Sequence, residues 1–180
     1  MHRRILALVL VVAAGCGGPP LTVDADYETS TDFSKYKTWS WMAGAKPSEK
    51  DIDNLSQQRI REAIEAELPK HGLAKKDEGG ELSVNYQISV EHKIKVSNAS
   101  VGVGYGWGPA HIGVSKSPSK EWDEGTLILD LVDPATKNLV WRGTAKGTVH
   151  PDATPEQRKE NIRKAIGYLL EDYPPTKKKE

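Results

Sequence analysis

The order of elements along the chain predicts an α+β fold: a mainly antiparallel sheet with two helices packed on one of its faces, in two layers. Three observations predict it. Ile52–Leu68 and Pro155–Leu170 carry apolar residues at helical spacing. Before and between them lie segments in which apolar and polar residues alternate, the pattern of strands buried on one side. The last two apolar runs are joined by Asp133 to Asn138, a short loop carrying Pro134, which suits an antiparallel hairpin.

In chain order, Val23 to Tyr27 reads as a short strand with Val23, Ala25 and Tyr27 on one side. Lys37-Thr38-Trp39-Ser40-Trp41 reads as a second, and the two-residue period puts both indoles on one face. After the loop Ala43 to Glu49, Ile52, Leu55, Ile60, Ala63, Ile64 and Leu68 form the stripe of the first helix. Pro69 and a left-handed Gly72 mark its stop, with Leu73 beyond. Gly79-Gly80 turns the chain into Leu82 to Val90, where alternation is strict. Thr126 to Val132 and Leu139 to Val149 form the hairpin. The second helix has Thr154 as cap, Pro155 in the first helical position and Gln157 completing a capping box. Ile162, Ala165, Ile166, Leu169 and Leu170 make its stripe, and Pro174-Pro175 ends it. One domain over residues 23–173 follows, with a basic tail at 174–180 containing Lys177 to Lys179.

The first fifteen residues have a different character. Arg3 and Arg4 precede an apolar or small run from Ile5 to Ala14, far short of the ~30 Å needed to cross a bilayer. A basic start, a short apolar run and small residues before a cut site mark a secretory leader, here residues 1–15. Ala13-Ala14-Gly15 runs directly into Cys16, the single cysteine of the chain. This resembles the lipobox of bacterial lipoproteins, in which the cysteine thiol receives diacylglycerol and then becomes the new N-terminus. Leu is commoner than the Ala13 found here. Residues 16–22 would then be a lipidated tether, and from Gly17 to Thr22 it reaches about 20 Å when extended.

Charge narrows the function classes. The chain has 25 basic and 25 acidic residues. Loss of Arg3 and Arg4 with the leader leaves it about two charges negative, which argues against a nucleic-acid partner.

Two blocks of residues resemble a known family. Asp32-Phe33-Ser34-Lys35-Tyr36-Lys37-Thr38-Trp39-Ser40-Trp41 is similar to the opening of bacterial lipoproteins carrying domain of unknown function 4136. Glu124 to Asp133, followed by Leu139-Val140-Trp141-Arg142-Gly143, is similar to their later strands. Val84-Asn85-Tyr86, the run Gly104-Tyr105-Gly106-Trp107-Gly108 and Tyr173-Pro174-Pro175 fall in matching places. The resemblance spans residues 22 to 175 and implies an envelope location without an assigned activity.

No signature of chemistry stands out. His71, His92, His111 and His150 are never three or four residues apart, so there is no local metal-ligand pair. Gly113-Val114-Ser115-Lys116-Ser117 lacks the second glycine of a nucleophile elbow. Gly102 to Gly108 places glycine at every second residue, unlike a dinucleotide or phosphate loop, and no cofactor is implied. Asp24 with Asp26, and Asp123 with Glu124, are carboxylate pairs whose plain reading is edge and loop acids. Asp130 lies opposite the face of Leu127, Leu129 and Leu131, and its reading is a structural hydrogen bond or a partner for Arg142 across the hairpin. Trp39, Trp41 and Trp141 read as core.

The glycine run keeps two readings open. Extended, it would set Gly102, Gly104, Gly106 and Gly108 on one side and Val101, Val103, Tyr105 and Trp107 on the other. Each glycine weakens a strand by roughly 0.5–1 kcal/mol relative to alanine. Tyr105 and Trp107 are therefore candidates for contact with an envelope protein or peptide. Alternatively, the run is a flexible hairpin or a twisted edge. The expectation is a non-enzymatic interaction module held to its membrane through lipid on Cys16. Gly17, not Asp, follows that cysteine, which points to the periplasmic face of the outer membrane. The rival is a hydrolase of an envelope polymer or lipid. A deep pocket with converging polar groups would favour it, and a flat or open surface the module.

Overall fold

The computed structural model describes residues 20–44, 52–96 and 119–175. Six strands form one sheet: β1 (Thr22–Tyr27), β2 (Thr38–Trp41), β3 (Ala74–Lys75), β4 (Leu82–Val96), β5 (Ser119–Asp133) and β6 (Asn138–Val149). Their spatial order is β1-β6-β5-β4-β2-β3. Helices α1 (Asn54–Glu67) and α2 (Pro155–Leu170) lie on one face. The architecture is the α+β, two-layer arrangement expected.

The β1/β6, β6/β5 and β5/β4 pairs are antiparallel. β2 runs parallel to both β4 and β3. That parallel edge has a topological cause. α1 carries the chain from the end of β2 back to the start of β4, and such a crossover returns a strand in the same direction.

Both helices begin on side-chain caps. Asp53 accepts from the Ser56 N–H at 2.9 Å, so α1 starts after Ile52. In α2, Gln157 N–H donates to Thr154 Oγ1 at 3.2 Å while Thr154 N–H donates to the Gln157 side chain at 2.9 Å. This is the expected capping box, with Pro155 at the first helical position. The stop of α1 is also as read. Pro69 has no N–H to continue the helix, so the chain tightens into a 3-10 turn, Leu68–His71. Gly72 then takes φ 82° and its N–H bonds back to that turn.

Register puts the apolar residues of the three central strands on the helix side. Val84 stands opposite Leu131, Tyr86 opposite Leu129 and Ile88 opposite Leu127. Leu131 faces Trp141, and Leu127 faces Ala145. Ile60, Ala63, Ile64 and Leu68 of α1 and Ile166, Leu169 and Leu170 of α2 cover this surface. Trp39 and Trp141 are fully buried, as expected of core. Trp41 is half-buried: its ring meets Trp39 edge-on at 5.1 Å, and its Nε1 donates to Glu65 at 2.8 Å.

Two glycines are required by close approach. A Cβ on Gly143 would lie 2.4 Å from the Trp141 ring and 2.8 Å from Leu169. A Cβ on Gly80 would lie 2.3 Å from the Trp39 carbonyl carbon.

β4 and β5 outrun the segments read from alternation. They stay paired as far as Val96 and Ser119. Beyond Val90 the strands leave the helices behind, so no core face imposes alternation. Ile94 there is 57% exposed. His92 pairs instead with Asp123 at 2.9 Å, across the two strands.

The β5–β6 turn is tied down by Asp133, which accepts from Tyr36 Oη at 2.9 Å, Lys35 Nζ at 3.2 Å and Ala135 N–H at 2.9 Å. The knot docks the segment between β1 and β2 onto the hairpin.

The packing makes a direct prediction. Ile64 and Ile166 have no solvent exposure. Ile64→Asp or Ile166→Asp would bury a charge without a partner, costing several kcal/mol of a total near 5–15 kcal/mol. Urea unfolding should show either variant unfolded or with a far lower midpoint; a midpoint equal to the parent's would contradict the packing.

Candidate functional site

The helices hold the sheet tightly at one end only. Around Leu68, Leu170 and Tyr173 the layers are in full contact, and His71 Nδ1 lies 2.9 Å from the Tyr173 carbonyl oxygen. At the opposite end, where both helices begin, Gly125 of β5 stands directly opposite Gly147 of β6. That pair contributes no side chains of its own, and the side chains of Val149 and Leu21 lean over it, 3.0 Å from a Cβ placed on Gly125 and 3.2 Å from one on Gly147. The result is a cavity of about 680 Å³ between the layers, inside the usual range of roughly 300–1,000 Å³ for small-molecule sites.

Its walls are mostly apolar. The floor adds Ile88, Val90, Leu127 and Ala145 to the glycine pair. α1 contributes Ile60, with Ile52 just before it, and α2 contributes Ile162, Ala165 and Tyr168. Ile52, Ile88 and Ile162 pack against the core on one side and are only partly buried, because they border this space on the other. Pro20 and Leu21, at the start of the described chain, complete the wall beside Gly147. The fold class was legible from sequence, but this cavity was not read from it. The available signal was a single glycine inside each of two apolar strands, a mark of close approach or missing side chains.

The polar groups of the wall are largely engaged in local structure. Ser56 donates its hydroxyl to Asp53 Oδ2 at 2.9 Å, within the α1 cap. The backbone N–H and hydroxyl of Ser56 hold the Asp53 carboxyl below its usual range. A carboxylate so stabilised is poorly suited to a general base, which works best with a pKa near ambient pH. Arg158 donates to the Ala153 carbonyl at 3.0 Å and the Pro151 carbonyl at 2.6 Å, stitching the loop before α2 to the helix. Lys164 lies 3.7 Å from Glu160. The arrangement is built to enclose apolar matter with a polar border.

The residues singled out in sequence are dispersed. Cys16, Tyr105, Trp107, His111 and Ser115 lie outside the described residues. Asp24 and Asp26 sit on the exposed edge strand β1. Asp123 pairs with His92, whose pKa is raised by that hydrogen bond. His71 packs at the closed end of the layers, and of the described histidines His150 reaches the cavity wall. Among the described residues no cluster of three His, Cys, Asp or Glu side chains could hold a metal ion. Asp130 and Arg142 face each other across the hairpin, joined by two hydrogen bonds of 2.6 and 2.9 Å. They occupy the sheet face away from the helices, as expected. Asp130 is 8% exposed and Arg142 43% exposed, so the pair holds the hairpin together and takes no part in the cavity.

A one-sided α+β sheet with an apolar chamber under its helices defines the class of protein. The chain belongs to the family of the domain of unknown function DUF4136, whose family model matches residues 23–175. No curated protein matches it. Among solved structures it is similar to the PelC dodecamer from Paraburkholderia phytofirmans, at 10% identity and TM-score 0.47, over 83% of this chain and 94% of that one. A PDZ domain protein from Parabacteroides distasonis aligns at 17% identity and TM-score 0.47, over 88% of this chain and 37% of that one. A hemagglutinin homologue from Helicobacter pylori, described as neuraminyllactose-binding, aligns at 10% identity and TM-score 0.39, over 84% and 94%.

The Asp53 cap carries a pH prediction. Its folded pKa is lowered, so the unfolded chain takes up the proton first, and the stabilisation is present near neutrality and lost as pH falls below about 4. Asp53→Ala should cost about 1 kcal/mol at neutral pH. Unfolding midpoints of parent and variant should converge on acidification; a gap that persists at low pH would show that the carboxylate is not the source.

Proposed function

We propose that this chain is a lipid-anchored binding protein of the bacterial envelope, holding an apolar ligand in the cavity beneath its helices. The observation that carries the reading is the position of Pro20 and Leu21 in the cavity wall, four and five residues after the lipobox cysteine. Anchor and chamber are then neighbours in one device. The lipid on Cys16 ties the domain to a membrane, and Gly17 directs it to the periplasmic side of the outer membrane. Among the described residues no helix is long and apolar enough to cross a bilayer.

The hydrolase reading needs a nucleophile and a base aimed at a common point. In the cavity the hydroxyl of Ser56 is turned to the Asp53 carboxylate that caps its own helix. This favours a container over a catalyst.

Anchoring is tested by Cys16→Ala. The exported variant should fold with the parent's melting temperature and appear in the soluble periplasmic fraction, because two or three acyl chains together bury tens of methylenes, each contributing ~0.8 kcal/mol. A variant that stayed in the pellet through salt and carbonate washes would defeat the lipid anchor.

A further inference from the structure

We infer that the cavity takes the hydrocarbon tail of a single-tailed anionic lipid drawn from the membrane to which the domain is tethered. The inference rests on the anchored-binder reading and names its ligand. Three observations carry it. The first is shape and lining: Gly125, Gly147, Ala145 and Ala165 contribute little side chain of their own, while Leu21, Val149, Ile88 and Ile162 wall the space with aliphatic groups. Such a lining offers dispersion and burial to a hydrocarbon and few hydrogen bonds to a polar ligand.

The second is position. Pro20 forms part of the wall, and Cys16 stands four residues before it. Four residues reach at most about 14 Å when extended. A lipid on Cys16 therefore keeps the cavity close to the bilayer surface, where single-tailed lipids partition and the local supply of tails is high.

The third is charge. The cationic members of the wall are Arg158 and Lys164, the latter 3.7 Å from Glu160 outside the wall, and its one carboxylate is Asp53. Asp53 is turned to the Ser56 N–H and hydroxyl. Arg158 uses two of its N–H groups on backbone carbonyls and keeps others for a phosphate or carboxylate. An anionic headgroup at this border would complete what the apolar interior begins.

The experiment uses the full-length chain with Cys16→Ala, purified without detergent, and cis-parinaric acid as the fluorescent probe. Saturable binding at one probe per chain is expected, displaced by palmitate and by lysophosphatidylglycerol. Ala165→Trp, which fills the cavity, should weaken it about tenfold or more, since each methylene excluded forfeits about fourfold in affinity. Should Ala165→Trp not fold, Tyr168→Glu carries the test, because Tyr168 lines the cavity yet is 54% exposed. Ile94→Asp, on the arm of β4 that extends past the helices, should leave affinity unchanged. Absence of saturable binding, or equal affinity in the cavity variants, would overturn the inference while leaving the anchor intact. A lipidated parent that refuses the probe while Cys16→Ala accepts it would put the protein's own anchor in the cavity and overturn the choice of a free lipid. A Cys16→Ala chain that binds the probe but remains in the membrane pellet would defeat the anchor alone.

Discussion

The seating of α2 on Gly143 is the contact on which the rest of the molecule depends. Leu169 comes down where a side chain would otherwise stand, beside the ring of Trp141. Tyr173, just past the helix, meets Trp141 edge-on at 5.6 Å and Phe33 at 5.9 Å. One aromatic cluster thereby joins β6, the end of α2 and the segment before β2. Because α2 is pinned at this end, its first turns stand away over the Gly125–Gly147 floor. Core rigidity and the cavity have a common origin in where the sheet lacks side chains.

The other face of the sheet is managed differently. Among the described residues no helix covers it, and Asp130 and Arg142 join its strands through two hydrogen bonds. A bidentate pair with one exposed partner adds modest stability and a precise register. The open edge of β1 carries Asp24 and Asp26 in an exposed strand, and the edge β3 is two residues long. Charge and shortness are the usual means of discouraging edge-to-edge association.

The proposed pairing of an apolar chamber with a membrane anchor would be economical for a protein handling lipid tails. The anchor would supply proximity and the chamber selectivity for hydrocarbon. The engagement of Asp53, Ser56 and Arg158 in caps and loop stitching fits such a role, since rigid walls lose little entropy on binding.

What the residues determined by themselves were the local matters. The α1 stop at Pro69 and Gly72, the Thr154–Gln157 capping box and the one-sided alternation of Leu82 to Val90 all follow from bonding and periodicity within a few residues of chain. The Asp130–Arg142 pair was legible too, because hairpin register links positions separated only by a short turn. Tertiary structure decided the rest. The parallel placement of β2 depends on where the crossover through α1 returns the chain. The long arm of β4 and β5 continues past the helices, where no buried face imposes a pattern. The cavity arises because Gly125 and Gly147, 22 residues apart in sequence, meet across a ladder beneath the segments where the two helices begin. A void is a property of what several elements fail to fill together, and no local run of residues encodes it.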